Sequence, residues 1–215
     1  MESDAQAGPG VEGGAGRVGA GSREQRKADR RRALLDAAAR LFAERGYGAV
    51  SIADLGAAAE VSGPAVYRHF AGKQEVLVEL LVGISERLLA GGQAERARAG
   101  DAAEALDRLV AAHVEFALTD TDLIRIQDRD LALLEPAPRR QVRRLQRRYV
   151  EIWVEVLTEL DAQLSAEEAR LRAHAVFGLI NSTPHAAGPA ALPGQRMRTV
   201  LRAMALAALR APAAD

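Results

Sequence analysis

Cysteine is absent from the 215 residues, so no disulfide, thiolate metal site or cysteine nucleophile can be built, and the composition fits a reducing compartment. Lysine is nearly absent too. Only Lys27 and Lys73 occur, which leaves the basic complement almost wholly to arginine and, with abundant alanine and glycine, suggests a GC-rich genome of the actinobacterial kind. No run approaches the roughly 18 consecutive apolar residues that a membrane span needs, and MESDAQAGPG lacks the cationic-then-apolar order of a signal peptide. The protein is therefore read as cytoplasmic. Net charge is missing as well: 29 Lys+Arg balance 29 Asp+Glu, so any charged function must be local.

Enzyme signatures are also lacking. There is no G-x-S-x-G elbow, no P-loop, no H-E-x-x-H, and no alternation of strand and helix patterns that would build a nucleotide fold. His113, His174 and His185 lack the paired spacing and neighbouring acids of a metal centre. The expectation is a non-enzyme with no metal and no cofactor.

What the chain does have is 48% hydrophobic residues, enough for a real core, distributed over three parts. Residues 1–22 hold seven glycines and one proline with no aromatic residue, which predicts a disordered tail. Residues 23–73 carry ten basic against six acidic side chains, densest from Arg23 to Arg32. Such a run is either a solvated helix start or a surface for phosphate. Residues 74–215 carry 18 basic and 20 acidic residues, so this half need not meet DNA.

Periodicity places the elements of the 23–72 domain. Leu34, Ala38, Leu41 and Phe42 recur at helical spacing up to the stop at Gly46. Ser51 stands as N-cap before Ile52, Leu55 and Ala59, with Asp54 three residues on. Ser62 can cap a third short helix with Pro64 in its first turn and Val66 and Phe70 on its buried face. Two short helices around a tight turn, over about 51–70, make a helix-turn-helix. The second helix of such a unit must enter a major groove about 12 Å wide, and Gly63, Pro64 and Ala65 give its leading edge a low profile. Tyr67, His69 and Lys73 can then offer a hydroxyl, an imidazole and a charge to backbone phosphate.

The segment ALLDAAARLFAERGYGAVSIADLGAAAEVSGPAVYRHFAGKQEVL, residues 33–77, resembles the DNA-binding domain of the tetracycline-repressor (TetR) family, above all in LFAERGY, Ser51 and VSGPAVYRHFAGK. The resemblance implies an all-α homodimer: an N-terminal three-helix DNA reader, then a helical ligand-binding and dimerisation domain over 73–215. It implies a repressor released from a palindromic operator by a small molecule, with Ser51, Ser62, Gly63, Pro64, Ala65, Tyr67, His69 and Lys73 touching DNA. Two positions depart from the family habit. Gly56 stands where alanine is usual and Glu60 where glycine is usual, and Glu60 would be strained if its φ were positive.

In the second half, apolar spacing predicts helices over 73–91, ending at Gly91-Gly92, and over 101–118, with a short segment at 121–134. A long helix after Pro136 and Pro138 follows, carrying Val142, Leu145, Tyr149, Ile152, Trp153, Val156 and Leu160 on one face and the arginines of RRQVRRLQRR on the other. Those arginines are either a solvated face or a seat for an acidic ligand such as a coenzyme A phosphate. Ser165 and Glu168 spell a capping box for a helix through Leu171 and Leu179, ended by Pro184, and a last helix covers 194–210. The broad apolar faces of these last two predict a dimer interface. His113, Phe116, Tyr149, Trp153, Phe177 and Asn181 are either plain core or contacts to a small molecule. RRLQRRYVEIWVEVL with FGLINSTPHAA also resembles actinobacterial TetR-type regulators of fatty-acid or acyl-CoA metabolism, which makes an acyl-CoA the implied ligand. A helical adaptor that binds no DNA is the alternative.

Overall fold

Caps and apolar stripes set the elements. The computed structural model describes residues 15–182 and 194–212, the first eight of these for backbone alone, and every regular element among them is helical. They are α1 (Ala15–Arg45), α2 (Ile52–Ala58), α3 (Gly63–Val66), α4 (Lys73–Arg98), α5 (Ala102–Thr119) and α6 (Thr121–Asp130), then a 3-10 turn (Leu131–Leu133), α7 (Pro136–Leu160), α8 (Ala166–Asn181) and α9 (Gly194–Leu209). None of the described helices is long and apolar enough to cross a membrane.

Two apolar cores result. The first joins Leu34, Leu41 and Phe42 of α1 to Leu55, Val66 and Phe70, and takes in Val76, Leu77, Leu81 and Ile84 of α4 with Leu123 and Ile126 of α6. It thus extends well past residue 72. The second packs α5, α7 and α8 around Leu106, Leu109, Trp153, Val156 and Ile180, with Ala205 and Leu209 docking α9. Val82 and Phe116 pack against both. Arg172 of α8 secures α9 by donating to the carbonyls of Leu209, Ala211 and Pro212, which satisfies helix-end acceptors left without intrahelical partners.

Several boundaries differ from the sequence-based expectation. Residues 15–22 continue α1 as helix rather than belonging to a tail, because extending a formed helix costs far less than starting one; residues 1–14 lie outside the described residues. Helix α4 passes through Gly91-Gly92 to Arg98. The reason is packing: a Cβ on Gly92 would stand 2.7 Å from Cε2 of Tyr149, so the bare backbone there admits the ring of α7. Pro136 opens α7 at its first position instead of breaking the chain before it. Ser165 accepts from the Glu168 amide at 3.1 Å, but the Glu168 carboxylate turns to Arg172, leaving half a capping box. Leu160, expected on the buried stripe of α7, is exposed. Pro184 and His185 lie outside the described residues.

Candidate DNA-reading surface and effector cavity

The turn between α2 and α3 is held by backbone contact. The Val61 amide donates to the Gly56 carbonyl at 2.8 Å, and Glu60 adopts φ +56°, the left-handed conformation that its side chain disfavours. A Cβ on Gly56 would meet the Val61 oxygen at 2.8 Å and the Gly63 nitrogen at 3.2 Å. Gly56 and Glu60 are therefore a coupled departure: the glycine lets the turn close down on α2, and Glu60 accommodates the sharp backbone.

Helix α3 presents its leading edge outward. Ser62 and Pro64 are exposed, Gly63 and Ala65 are half-buried, and Tyr67 projects with 60% of its surface exposed. Ser62 occupies the N-cap position but makes no side-chain cap bond, contrary to the expected cap, so its hydroxyl is uncommitted. His69 is half-buried, with Nδ1 enclosed and unpartnered. Burial, reinforced by Arg31, Lys27, Arg30 and Arg68, holds its pKa below the ordinary histidine value, so it offers an uncharged imidazole.

Two expected DNA contacts are engaged within the fold. The Ser51 hydroxyl donates to Asp54 Oδ2 at 2.5 Å and accepts from the Asp54 amide at 3.1 Å, and the Ser51 amide donates to Asp54 Oδ2 at 2.8 Å, completing a reciprocal capping box. Those bonds hold the Asp54 carboxyl below its usual range. Lys73 Nζ donates to the carbonyls of Tyr47 and Val50, both at 2.7 Å, and lies 4.3 Å from the centre of the Tyr47 ring. As the first residue of α4 it sits where the helix dipole opposes a cation, and the carbonyls compensate. Both residues brace the α1–α2 loop.

Arg31 was invisible in the sequence as anything but one of a run. It donates to the His69 carbonyl, pairs with Glu79, and lies 4.1 Å over the Phe70 ring, tying α1 and the end of α3 to α4. Arg129 makes a second tie. It donates to the carbonyls of Phe42 and Ala43 at the end of α1 while holding the buried Asp130 at 2.8 Å.

In the second core lies a cavity of about 210 Å³ between α4, α5, α6, α7 and α8. Of the six candidates, His113, Phe116, Tyr149, Phe177 and Asn181 line it and Trp153 does not. Trp153 is fully buried behind the wall, edge-on to Phe177 at 5.0 Å and to His113 at 6.0 Å. Ser85, Leu88, Gln127, Gln146, Val150 and His174 complete the lining and were missed, because surface glutamines carry no periodic signal. His113, only 3% exposed, shares a 3.1 Å hydrogen bond between Nδ1 and the Tyr149 hydroxyl. Burial lowers its pKa to about 4 and raises that of Tyr149, so both are uncharged at neutral pH. Along α7 the arginines at 139, 140, 143, 144, 147 and 148 form two adjacent columns, and none of their guanidinium groups has a hydrogen bond or ion pair to another described residue.

Comparison with known proteins matches both halves. The family model "Bacterial regulatory proteins, tetR family" covers residues 34–80, and "Tetracyclin repressor-like, C-terminal domain" covers 99–185. The HTH-type transcriptional repressor KstR2 of Rhodococcus jostii is 36% identical over 89 residues, 41% of this chain and 44% of the relative, so the alignment spans under half of that protein's length. Among solved structures, the TetR family regulator PfmR of Thermus thermophilus aligns with a TM-score of 0.71 at 27% identity, covering 85% of this chain and 96% of its own. AibR, solved with isovaleryl coenzyme A and operator DNA, has a TM-score of 0.70 at 18% identity, covering 81% of this chain and 97% of its own, a likeness of fold.

Proposed function

The chain belongs to the tetR family of bacterial regulatory proteins, and from that premise we propose that it is a homodimeric, cytoplasmic repressor that reads a near-palindromic operator and leaves it when a small molecule enters the cavity. The observation that carries this reading is the α2–α3 unit, which keeps Ser62, Pro64 and Tyr67 outward and uncommitted while Ser51 and Lys73 stiffen its frame. Those outward residues, with Gly63, Ala65 and His69, supply the DNA contacts. Its second half carries no catalytic role.

Dimerisation is supported by Leu171 on α8 and Met204 on α9, apolar side chains 68% and 49% exposed that a second copy would cover. A two-fold pair of readers then matches two half-sites. The ligand is an acyl-CoA on this reading. The uncharged cavity suits the acyl chain, the unpaired α7 arginines suit the phosphates, and AibR supplies the precedent of a bound coenzyme A thioester.

Selection of duplex fragments by the purified protein tests the proposal. Recovery of an inverted repeat, bound by dimers and released by an acyl-CoA, is expected. Binding that is weak, steeply salt-dependent and without sequence preference supports the adaptor reading instead.

A further inference from the structure

The lining of the cavity says what kind of chemical group it accepts. Among the described residues it contains no Asp, Glu, Lys or Arg. Its polar groups are the Ser85 and Tyr149 hydroxyls, the buried His113 imidazole, the exposed His174 imidazole, and the amides of Gln127, Gln146 and Asn181. Two of their atoms, His113 Nε2 and Asn181 Oδ1, are buried without a well-formed hydrogen bond, and the Asn181 side chain lies close enough to His113 to favour its protonated form. The Tyr149 phenol has no acceptor among the described residues other than His113 Nδ1; when it donates there, Nε2 carries the ring proton and is a donor. The donor and its neighbouring acceptor are thus only weakly matched to each other, and a ligand carbonyl can take the Nε2 proton in a better bond.

From this geometry we infer that the cavity is specific for an uncharged, compact group bearing a carbonyl acceptor, such as an amide, ester or thioester, and discriminates against the free carboxylate of the same shape. A carboxylate in this lining would lose its hydration with no lysine or arginine to replace it, whereas masking the acid as a thioester or amide removes the charge and keeps the acceptor. At about 210 Å³ the space falls below the roughly 300–1,000 Å³ of sites for drug-sized molecules, so the buried group is small. The inference rests on the reading of this domain as the effector domain and deepens it: the regulator distinguishes an activated or otherwise neutral derivative from its parent acid.

The matched probes are 4-butylbenzamide and 4-butylbenzoate, titrated calorimetrically into the full-length protein. Binding of the amide at one site per chain, about tenfold or more tighter than the carboxylate, is expected. Gln146→Arg, at a half-buried position that the fold can spare, should reverse the order by placing a cation in the lining. Asn181→Leu should lower amide affinity by about tenfold while the melting temperature stays near that of the wild type. Equal or tighter binding of the carboxylate to the wild type overturns the inference, as does the absence of saturable binding by either probe. Operator selection on the same preparation separates the two levels. A protein that recovers an inverted repeat yet prefers the carboxylate refutes the pocket chemistry alone, and one that prefers the amide but selects no DNA sequence supports the pocket chemistry and refutes the regulator.

Discussion

The carbonyl oxygen of Val61 lies 2.8 Å from where a Cβ on Gly56 would stand. Helix propensity favours alanine over glycine by about 1 kcal/mol at such a position, but here backbone, not a flexible side chain, blocks the added methyl. Gly56→Ala is therefore expected to destabilise the protein by about 1–3 kcal/mol in denaturant titration. Glu60→Gly acts in the opposite sense. By relieving the left-handed conformation it should add about 0.5–1 kcal/mol. A stabilising Gly56→Ala would show that the turn can open without cost.

Lys73 is expected to behave as a brace. Lys73→Ala removes the donor to Tyr47 and Val50 and should cost about 1–2 kcal/mol of stability. The slope of log affinity against log salt for operator binding should stay at the wild-type value. A slope reduced by about one, with unchanged melting temperature, would return Lys73 to direct phosphate contact.

His113 makes stability depend on pH. Its folded pKa of about 4 lies below the ordinary value of 6.5, so between these limits the unfolded chain binds the extra proton. Stability is full above 6.5 and falls as the pH drops toward 4, by on the order of 3 kcal/mol. His113→Phe should flatten that part of the profile, measured by denaturation at pH 4.5 and pH 7.

Arg129 carries the junction of α6 with α1. Arg129→Ala leaves Asp130 buried with its ion pair gone and should cost about 2–3 kcal/mol. Asp130→Asn in the same chain should restore most of the loss, since the stranded charge is then removed. Failure of that rescue would mean that the bonds to Phe42 and Ala43 dominate.

The α7 arginines are expected to serve the charged end of a thioester. Arg143→Glu with Arg147→Glu should weaken isovaleryl coenzyme A by about tenfold or more, and more at low salt than at high. Binding of 4-butylbenzamide, which has no charged end, should not change. Loss of both alike would indicate damage to the cavity itself.

The helix-turn-helix was legible because short-range signals define it: Ser51 with Asp54, Pro64 at the start of α3, Gly46 at φ +86° ending α1. The aromatic wall of the cavity was legible from the spacing of Tyr149 and Phe177 within apolar stripes. Long-range partnerships were not. Gly92 read as a stop because its reason, the ring of Tyr149, is 57 residues away in the chain. Lys73 read as a surface charge because its acceptors are backbone carbonyls, which every residue has. Arg129 and the lining glutamines sit on helix surfaces where sequence cannot say which neighbour arrives. Ser62 shows the converse: its sequence fits a cap, yet the cap bond is absent.

Val82 and Phe116, each packed against both cores, join the two halves of the chain. Thermal unfolding should accordingly be a single calorimetric transition, with the DNA-reading helices melting at the same temperature as the bundle behind them. Phe116 also lines the cavity, so an occupant there is expected to raise that shared melting temperature, the DNA-reading helices included.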